Sequence, residues 1–155
     1  MKYKRIQIFL PFLFIILLSS FLYGQDVVRV KRVIDGDTIL LANGERVRLI
    51  GVNTPETKHP QKPVERFGKE ASLFTKRMVE GKEVRLEFDW QKRDKFGRLL
   101  AYVYLMDGTF LNAEIIKQGY GFAYTKYPFK YLEEFRQYER EARESKRGLW
   151  KPTGP

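Results

Sequence analysis

The chain has 155 residues, with 29 Lys and Arg against 19 Asp and Glu, a formal net charge of +10, one His and no Cys. That length suits one domain plus an export segment, and the missing thiols exclude a disulfide framework, a Cys-ligated zinc and a thiol nucleophile. A single imidazole disfavours acid–base chemistry by paired histidines, so any catalysis rests on carboxylates, Arg, Lys and hydroxyls. The basic excess fits a polyanionic partner, nucleic acid or an anionic membrane surface, and equally fits a charged surface kept for solubility.

Residues 1–24 place Lys2, Lys4 and Arg5 ahead of an apolar run from Ile6 to Tyr23, the pattern of a signal peptide. Gly24 is the expected last residue of the leader, although Leu22 is bulkier than the small residue favoured two places earlier. An uncleaved anchor is the competing reading, because about 18 apolar residues nearly span a bilayer. On either reading residues 25–155 form the domain, and it is expected outside the cytoplasm, secreted, periplasmic or surface-held, since positive charge stays inside.

The mature chain opens with short strands. Val28 and Val30 alternate with Arg29 and Lys31, then come the turn Asp35-Gly36, an apolar stretch Thr38–Leu41 and the hairpin signal Asn43-Gly44. Val47 and Leu49 then alternate with Arg46 and Arg48. A Pro-rich loop follows from Asn53 to Pro63. Phe67, Ala71, Phe74 and Met78 predict an amphipathic helix that Gly81 ends. Val84, Leu86, Phe88 and Trp90 predict a strand, and Arg98–Leu105 another, beyond the charged turn Lys92–Gly97. Leu111–Gln118 reads as a short helix, Gly119–Tyr131 as an aromatic loop, and Leu132, Phe135, Tyr138 and Ala142 as a last helix stopping at Gly148. Five strands in two groups, split and followed by helices, predict an α+β fold: a five-stranded OB-type β-barrel with three helices. An SH3-like barrel fits less well, because it lacks a full helix inserted in mid-barrel.

Two polar clusters carry the chemistry. Asp35-Gly36-Asp37-Thr38 lies where one strand turns into the next, and Asn53-Thr54-Pro55-Glu56 follows the strand carrying Arg48. Oxygens of Asp37, Asn53 and a backbone carbonyl suit a hard cation such as Ca²⁺, although Asp-Gly is also ordinary turn chemistry. Arg48 and Arg98 sit opposite the apolar series of their strands and need anionic partners. One candidate is a structural carboxylate such as Glu56; the other is a phosphodiester, whose developing charge a guanidinium fork clamps. In the second case Glu56 is the carboxylate left to take a proton from water. Tyr120, Phe122, Tyr124 and Tyr127, interleaved with Lys126 and Lys130, have two uses: stacking on a single strand, or packing on the barrel. The lone His59 reads as a solvated loop residue.

Ile34-Asp-Gly-Asp-Thr38, Val47-Arg-Leu-Ile-Gly-Val-Asn-Thr-Pro-Glu-Thr-Lys-His-Pro60 and Asp94-Lys-Phe-Gly-Arg98 resemble the three signature stretches of the thermonuclease (staphylococcal-nuclease-like) family. The resemblance covers about residues 28 to 150. It implies an OB-type barrel with three helices and a phosphodiester hydrolase that cuts DNA and RNA with one Ca²⁺ ion, leaving 3′-phosphate ends. Asp37 resembles the family's metal-ligand aspartate, and Thr54 the residue that ligates through its backbone carbonyl. Asn53 stands where the family usually has a second aspartate, a loss of one negative charge that weakens Ca²⁺ binding. Arg48 and Arg98 resemble the phosphate-binding arginines, and Glu56 the glutamate that activates water. Lys62 and Lys95 sit in loops that contact nucleotide, and Tyr124 or Tyr127 matches a tyrosine near the substrate phosphate. The expected protein is therefore a monomeric exported nuclease favouring single strands. Its rivals are a non-catalytic nucleic-acid-binding module whose metal site lapsed at Asn53, and a tethered protein-binding barrel.

Overall fold

A computed structural model describes residues 27–57 and 66–152. The expected leader, His59 and Lys62 lie outside the described residues.

Alternation builds the first three strands. In β1 (Val27–Asp35), β2 (Thr38–Leu41) and β3 (Arg46–Leu49), the buried positions are Val30, Val33, Ile39, Leu41, Val47 and Leu49, while Arg29, Lys31 and Arg46 face water. The turn residue Gly44 has φ +88°, a left-handed conformation that glycine adopts without strain. After β3 the chain turns at Ile50-Gly51 into the two-residue β4 (Val52–Asn53).

Helix α1 (Gly68–Val79) follows, then β5 (Glu83–Glu87) and β6 (Leu99–Leu105). β5, expected to run to Trp90, stops at Glu87, where its pairing with Tyr102 is the last rung. The barrel closes in the order β1-β2-β3-β6-β5, with β1 returning to β5. Four of its five seams are antiparallel; β3 and β6 run parallel, with Val47 opposite Leu99 and Arg48 opposite Leu100. That parallel seam carries Arg48 and the residue preceding β6, Arg98, to one rim. This is the OB-type barrel with three helices that the sequence predicts.

The core runs through the barrel and beneath it. Val30, Ile39, Val47, Val84, Ala101 and Val103 are completely buried. Helix α2 (Leu111–Lys117) adds Leu111, Ile115 and Ile116, and α3 (Leu132–Glu144) adds Phe135. Each fully buried aliphatic or aromatic side chain stabilises the fold by about 1.5–3 kcal/mol. Asn112, on α2, is buried without remainder. It accepts a hydrogen bond from the Val103 N–H at 2.9 Å and donates to the carbonyls of Ile50 at 3.0 Å and Ala101 at 3.2 Å. It thereby pins α2 to β6 and to the turn after β3.

The aromatic loop contains a strand that the sequence reading misses. β7 (Phe122–Ala123) pairs antiparallel with β4, Asn53 facing Phe122. The loop of Asn53 and Thr54 is thus held by backbone pairing on one side and by the β1–β2 turn on the other.

Candidate functional site

The site begins at the turn between β1 and β2. Thr75, a buried hydroxyl on α1, donates to the Gly36 carbonyl at 2.7 Å, and the Leu49 N–H donates to the Asp37 carbonyl at 2.9 Å. Gly36 packs so closely on Thr54 that a Cβ there would lie 2.7 Å from Thr54 Oγ1. The turn therefore presents Asp37 directly to the 53–54 loop. Asp37 Oδ1 accepts from Thr38 Oγ1 at 3.0 Å, and Oδ2 accepts from the Thr54 N–H at 3.0 Å and pairs with Arg48 Nη2 at 3.2 Å.

Arg48 is the hub. Its Nη1 donates to the carbonyls of Leu49 and Val52, and its Nη2 donates to Asn53 Oδ1 at 3.3 Å. Burial lowers its pKa; nearby Asp37 opposes that shift, and the positive charge of Arg98 adds to it. Two guanidinium groups near enough to repel one another make a well-aimed receptor for an anion.

A second carboxylate shares the turn. Burial raises the Asp35 pKa, and the charges of Asp37 and Glu56 raise it further, against hydrogen bonds from the Gly36 N–H and Thr57 Oγ1, each 2.9 Å long. The charges of Asp37 and Glu56 thus act on Asp35, and these three carboxylates are the acidic group of the turn, with Glu56 half-buried. Within the Asp35–Thr38 cluster, Asp35 is legible in the sequence only as a turn residue, because Asp-Gly alone signals a turn.

No three His, Cys, Asp or Glu side chains among the described residues close into a ready metal cage. The donors at hand are mixed oxygens: the Asp37 carboxylate, the Asn53 side-chain carbonyl and the Thr54 backbone carbonyl. Asp37 Oδ2 and Asn53 Oδ1 both turn to one cationic nitrogen, Arg48 Nη2. Thr54 Oγ1 is buried with no hydrogen-bond partner among the described residues. Oxygen donors of this chemistry suit a hard divalent ion rather than a soft one.

Arg98 lines the same groove as Arg48. Asp94 Oδ2 accepts from Arg98 Nε at 2.8 Å and Nη2 at 2.7 Å, a fork that fixes the side chain. So the structural carboxylates are Asp37 for Arg48 and Asp94 for Arg98, not Glu56. Between the arginines and the aromatic loop runs a groove of about 560 Å³, lined among others by Asn53, Lys95, Phe96, Lys126, Tyr124 and Tyr127. The Tyr124 and Tyr127 rings are exposed and lie 6.2 Å apart. Of the residues singled out in the sequence, Asp37, Arg48, Asn53 and Thr54 are joined directly. Glu56 belongs to the acidic group, and Arg98, Lys95, Tyr124 and Tyr127 line the groove.

The fold is a closed OB-type barrel with Arg48 and Arg98 lining one groove. Residues 46–152 match the family model described as staphylococcal nuclease homologue. The chain is 43% identical over 131 residues to a thermonuclease of Staphylococcus hyicus, covering 82% of this chain and 77% of that protein. It is 47% identical over 125 residues to a thermonuclease of Staphylococcus intermedius, covering 78% and 74%. It is also 43% identical over 133 residues to endonuclease YncB of Bacillus subtilis (strain 168), covering 82% of this chain and 63% of that protein. The chain belongs to the staphylococcal nuclease homologue family.

Proposed function

We propose that this protein is an exported, monomeric, Ca²⁺-dependent nuclease that hydrolyses phosphodiester bonds of DNA and RNA, favours single strands and leaves 3′-phosphate ends. The observation that carries this reading is the convergence of Asp37 Oδ2 and Asn53 Oδ1 on Arg48 Nη2, with Arg98 near enough to act electrostatically on the same guanidinium. The relatives named thermonuclease and endonuclease support it.

Asp37, Asn53 through its side-chain carbonyl and Thr54 through its backbone carbonyl would hold the calcium ion. When bound, the ion supplies charge neutralisation at the phosphoryl oxygens. Arg48 and Arg98 bind the phosphodiester and stabilise the charge that builds on its oxygens as water adds. Glu56 accepts the proton of the attacking water. Water adds to phosphorus, the bond to the 5′-oxygen breaks, that oxygen leaves as a hydroxyl by taking a proton from solvent, and the phosphate stays on the 3′-oxygen.

Asn53 favours a second reading, a module that binds nucleic acid without cutting it, because the ligand set carries one charge fewer than an aspartate would give. Digestion of single-stranded DNA by the mature chain, with millimolar Ca²⁺ and with a chelator, separates the two. Cleavage that needs Ca²⁺ and leaves 3′-phosphates is the expected result. DNA that is retarded in a gel yet stays whole with Ca²⁺ would establish the binding module instead.

A further inference from the structure

Seven large apolar side chains are exposed among the described residues, and the four aromatic ones, Trp90, Phe96, Tyr124 and Tyr127, all line one groove beside Arg48 and Arg98. The three that do not line it, Val27, Leu73 and Met106, are aliphatic or thioether side chains. Scattered exposure needs no explanation, but four aromatic rings gathered along one basic groove do.

Trp90 and Phe96 are the two that the site chemistry leaves without a task, and Trp90 is the one held in place by a side-chain hydrogen bond. It stands 68% exposed just past the end of β5. It is nevertheless held at two points: its backbone N–H donates to Asp89 Oδ1 at 2.7 Å, and its indole Nε1 donates to the Pro128 carbonyl at 3.0 Å. With its only polar group engaged, the indole offers the groove nothing but a π-face. A fixed face of this kind suits stacking, which every nucleobase can reciprocate.

The charges beside it suit a polyanion. Lys95 lies over the Phe96 ring at 5.1 Å and Lys126 over the Tyr127 ring at 5.7 Å, so cations and rings alternate along the wall. The two carboxylates that line the groove are already committed, Asp94 to Arg98, and Asp89 to Tyr102, the Lys130 N–H and the Trp90 N–H.

We infer that Trp90 is a base-stacking subsite for a nucleotide of a single strand that extends beyond the phosphate held by Arg48 and Arg98. This deepens the nuclease reading and rests on it. A strand long enough to reach the indole therefore binds more tightly than a short one, with little regard to base identity.

The test uses the full mature chain with Trp150→Phe, since Trp150 packs on Arg143 and Phe122 and would obscure the signal. Oligothymidylates of two and eight residues are titrated in chelator, with Trp90 fluorescence and filter binding read in parallel. The longer oligomer is expected to quench Trp90. Trp90→Leu is expected to lower its affinity by about tenfold, the usual size of one base–aromatic stack. Trp90→Phe should restore most of that affinity, which a purely structural role for the indole hydrogen bond to Pro128 would not allow. Binding of the octamer with no quenching and no loss in Trp90→Leu would overturn the subsite and leave the nuclease reading intact. Absence of both binding and Ca²⁺-dependent cleavage in the parent chain would overturn the two together and point to a protein partner for the aromatic wall.

Discussion

Nη2 of Arg48 lies 3.2 Å from Asp37 Oδ2 and 3.3 Å from Asn53 Oδ1, so one guanidinium nitrogen joins the turn after β1 to the end of β4. The same side chain uses Nη1 to cap the carbonyls of Leu49 and Val52. Four acceptors in different directions need a planar fork, and a lysine ammonium cannot reach them all. Arg48→Lys should therefore lower kcat/KM on single-stranded DNA by about 10²–10³-fold, the size of losing one transition-state donor. It should also lower unfolding stability by about 1–3 kcal/mol, because a partly buried carbonyl loses its donor. Urea unfolding and initial rates check both. A lysine variant with parental turnover would rule out the phosphate-clamping role.

Asn53→Asp restores a charge to the ligand set. Ca²⁺ affinity rises with the number of charged oxygens, and here the new carboxylate would stand beside Asp37 with Arg48 still between them. The Kd for Ca²⁺ measured by calorimetry should fall by about tenfold, equivalent to about 1.4 kcal/mol. The rise in Tm caused by millimolar Ca²⁺ should grow with it. Unchanged affinity would mean that the Asn53 oxygen is not a ligand.

Asp35 gives the fold a pH dependence of unusual sign. Burial and the charges of Asp37 and Glu56 hold its pKa above the ordinary aspartate value. Between that value, about 3.9 in an unfolded chain, and the higher value in the fold, the folded protein keeps a proton that the unfolded chain has released. Stability from this group therefore falls as pH rises through the window, and the full cost persists above it. Asp35→Asn keeps an oxygen to accept from Gly36 and Thr57 while removing the charge. In calcium-free buffer it should be more stable than the parent at pH 7, with the gain shrinking towards zero at about pH 3. Urea unfolding across that range measures the difference; an equal difference at both ends would show that the charge is not the cause.

What the sequence discloses and what it hides follows from range. Val47 and Leu49 alternate with Arg48 inside one strand, so the outward face of Arg48 is readable from period alone. The union of Asp37 with Thr54 is readable because two strands and a hairpin signal fold one loop onto the other. β7 is not readable: it has two residues, sits among aromatics, and exists only because β4 is there to pair with it. The end of β5 is hidden too, since Phe88 and Trp90 continue its alternation after the barrel has no further rung to offer. Asp94 as the holder of Arg98 escapes notice because it acts across a turn in which Gly97 has φ +77°. The raised pKa of Asp35 arises from packing against the loop of Glu56 and Thr57, which no local pattern encodes.

Asn112 supports the site from beneath. One buried amide satisfies the Val103 N–H and the carbonyls of Ile50 and Ala101, and the Ile50 carbonyl belongs to the turn that leads from Arg48 to Asn53. Asn112→Leu fills a similar space but takes that partner from the Val103 N–H and the Ile50 carbonyl, each costing about 1–3 kcal/mol when left buried and unpaired, while the Ala101 carbonyl keeps the Ile50 N–H at 3.1 Å. The variant should lose about 3 kcal/mol or more of unfolding stability by urea denaturation. Because the Ile50 turn would loosen, Ca²⁺ affinity measured well below the unfolding transition should fall as well. A variant that loses stability yet binds Ca²⁺ like the parent would confine Asn112 to holding α2 on the barrel.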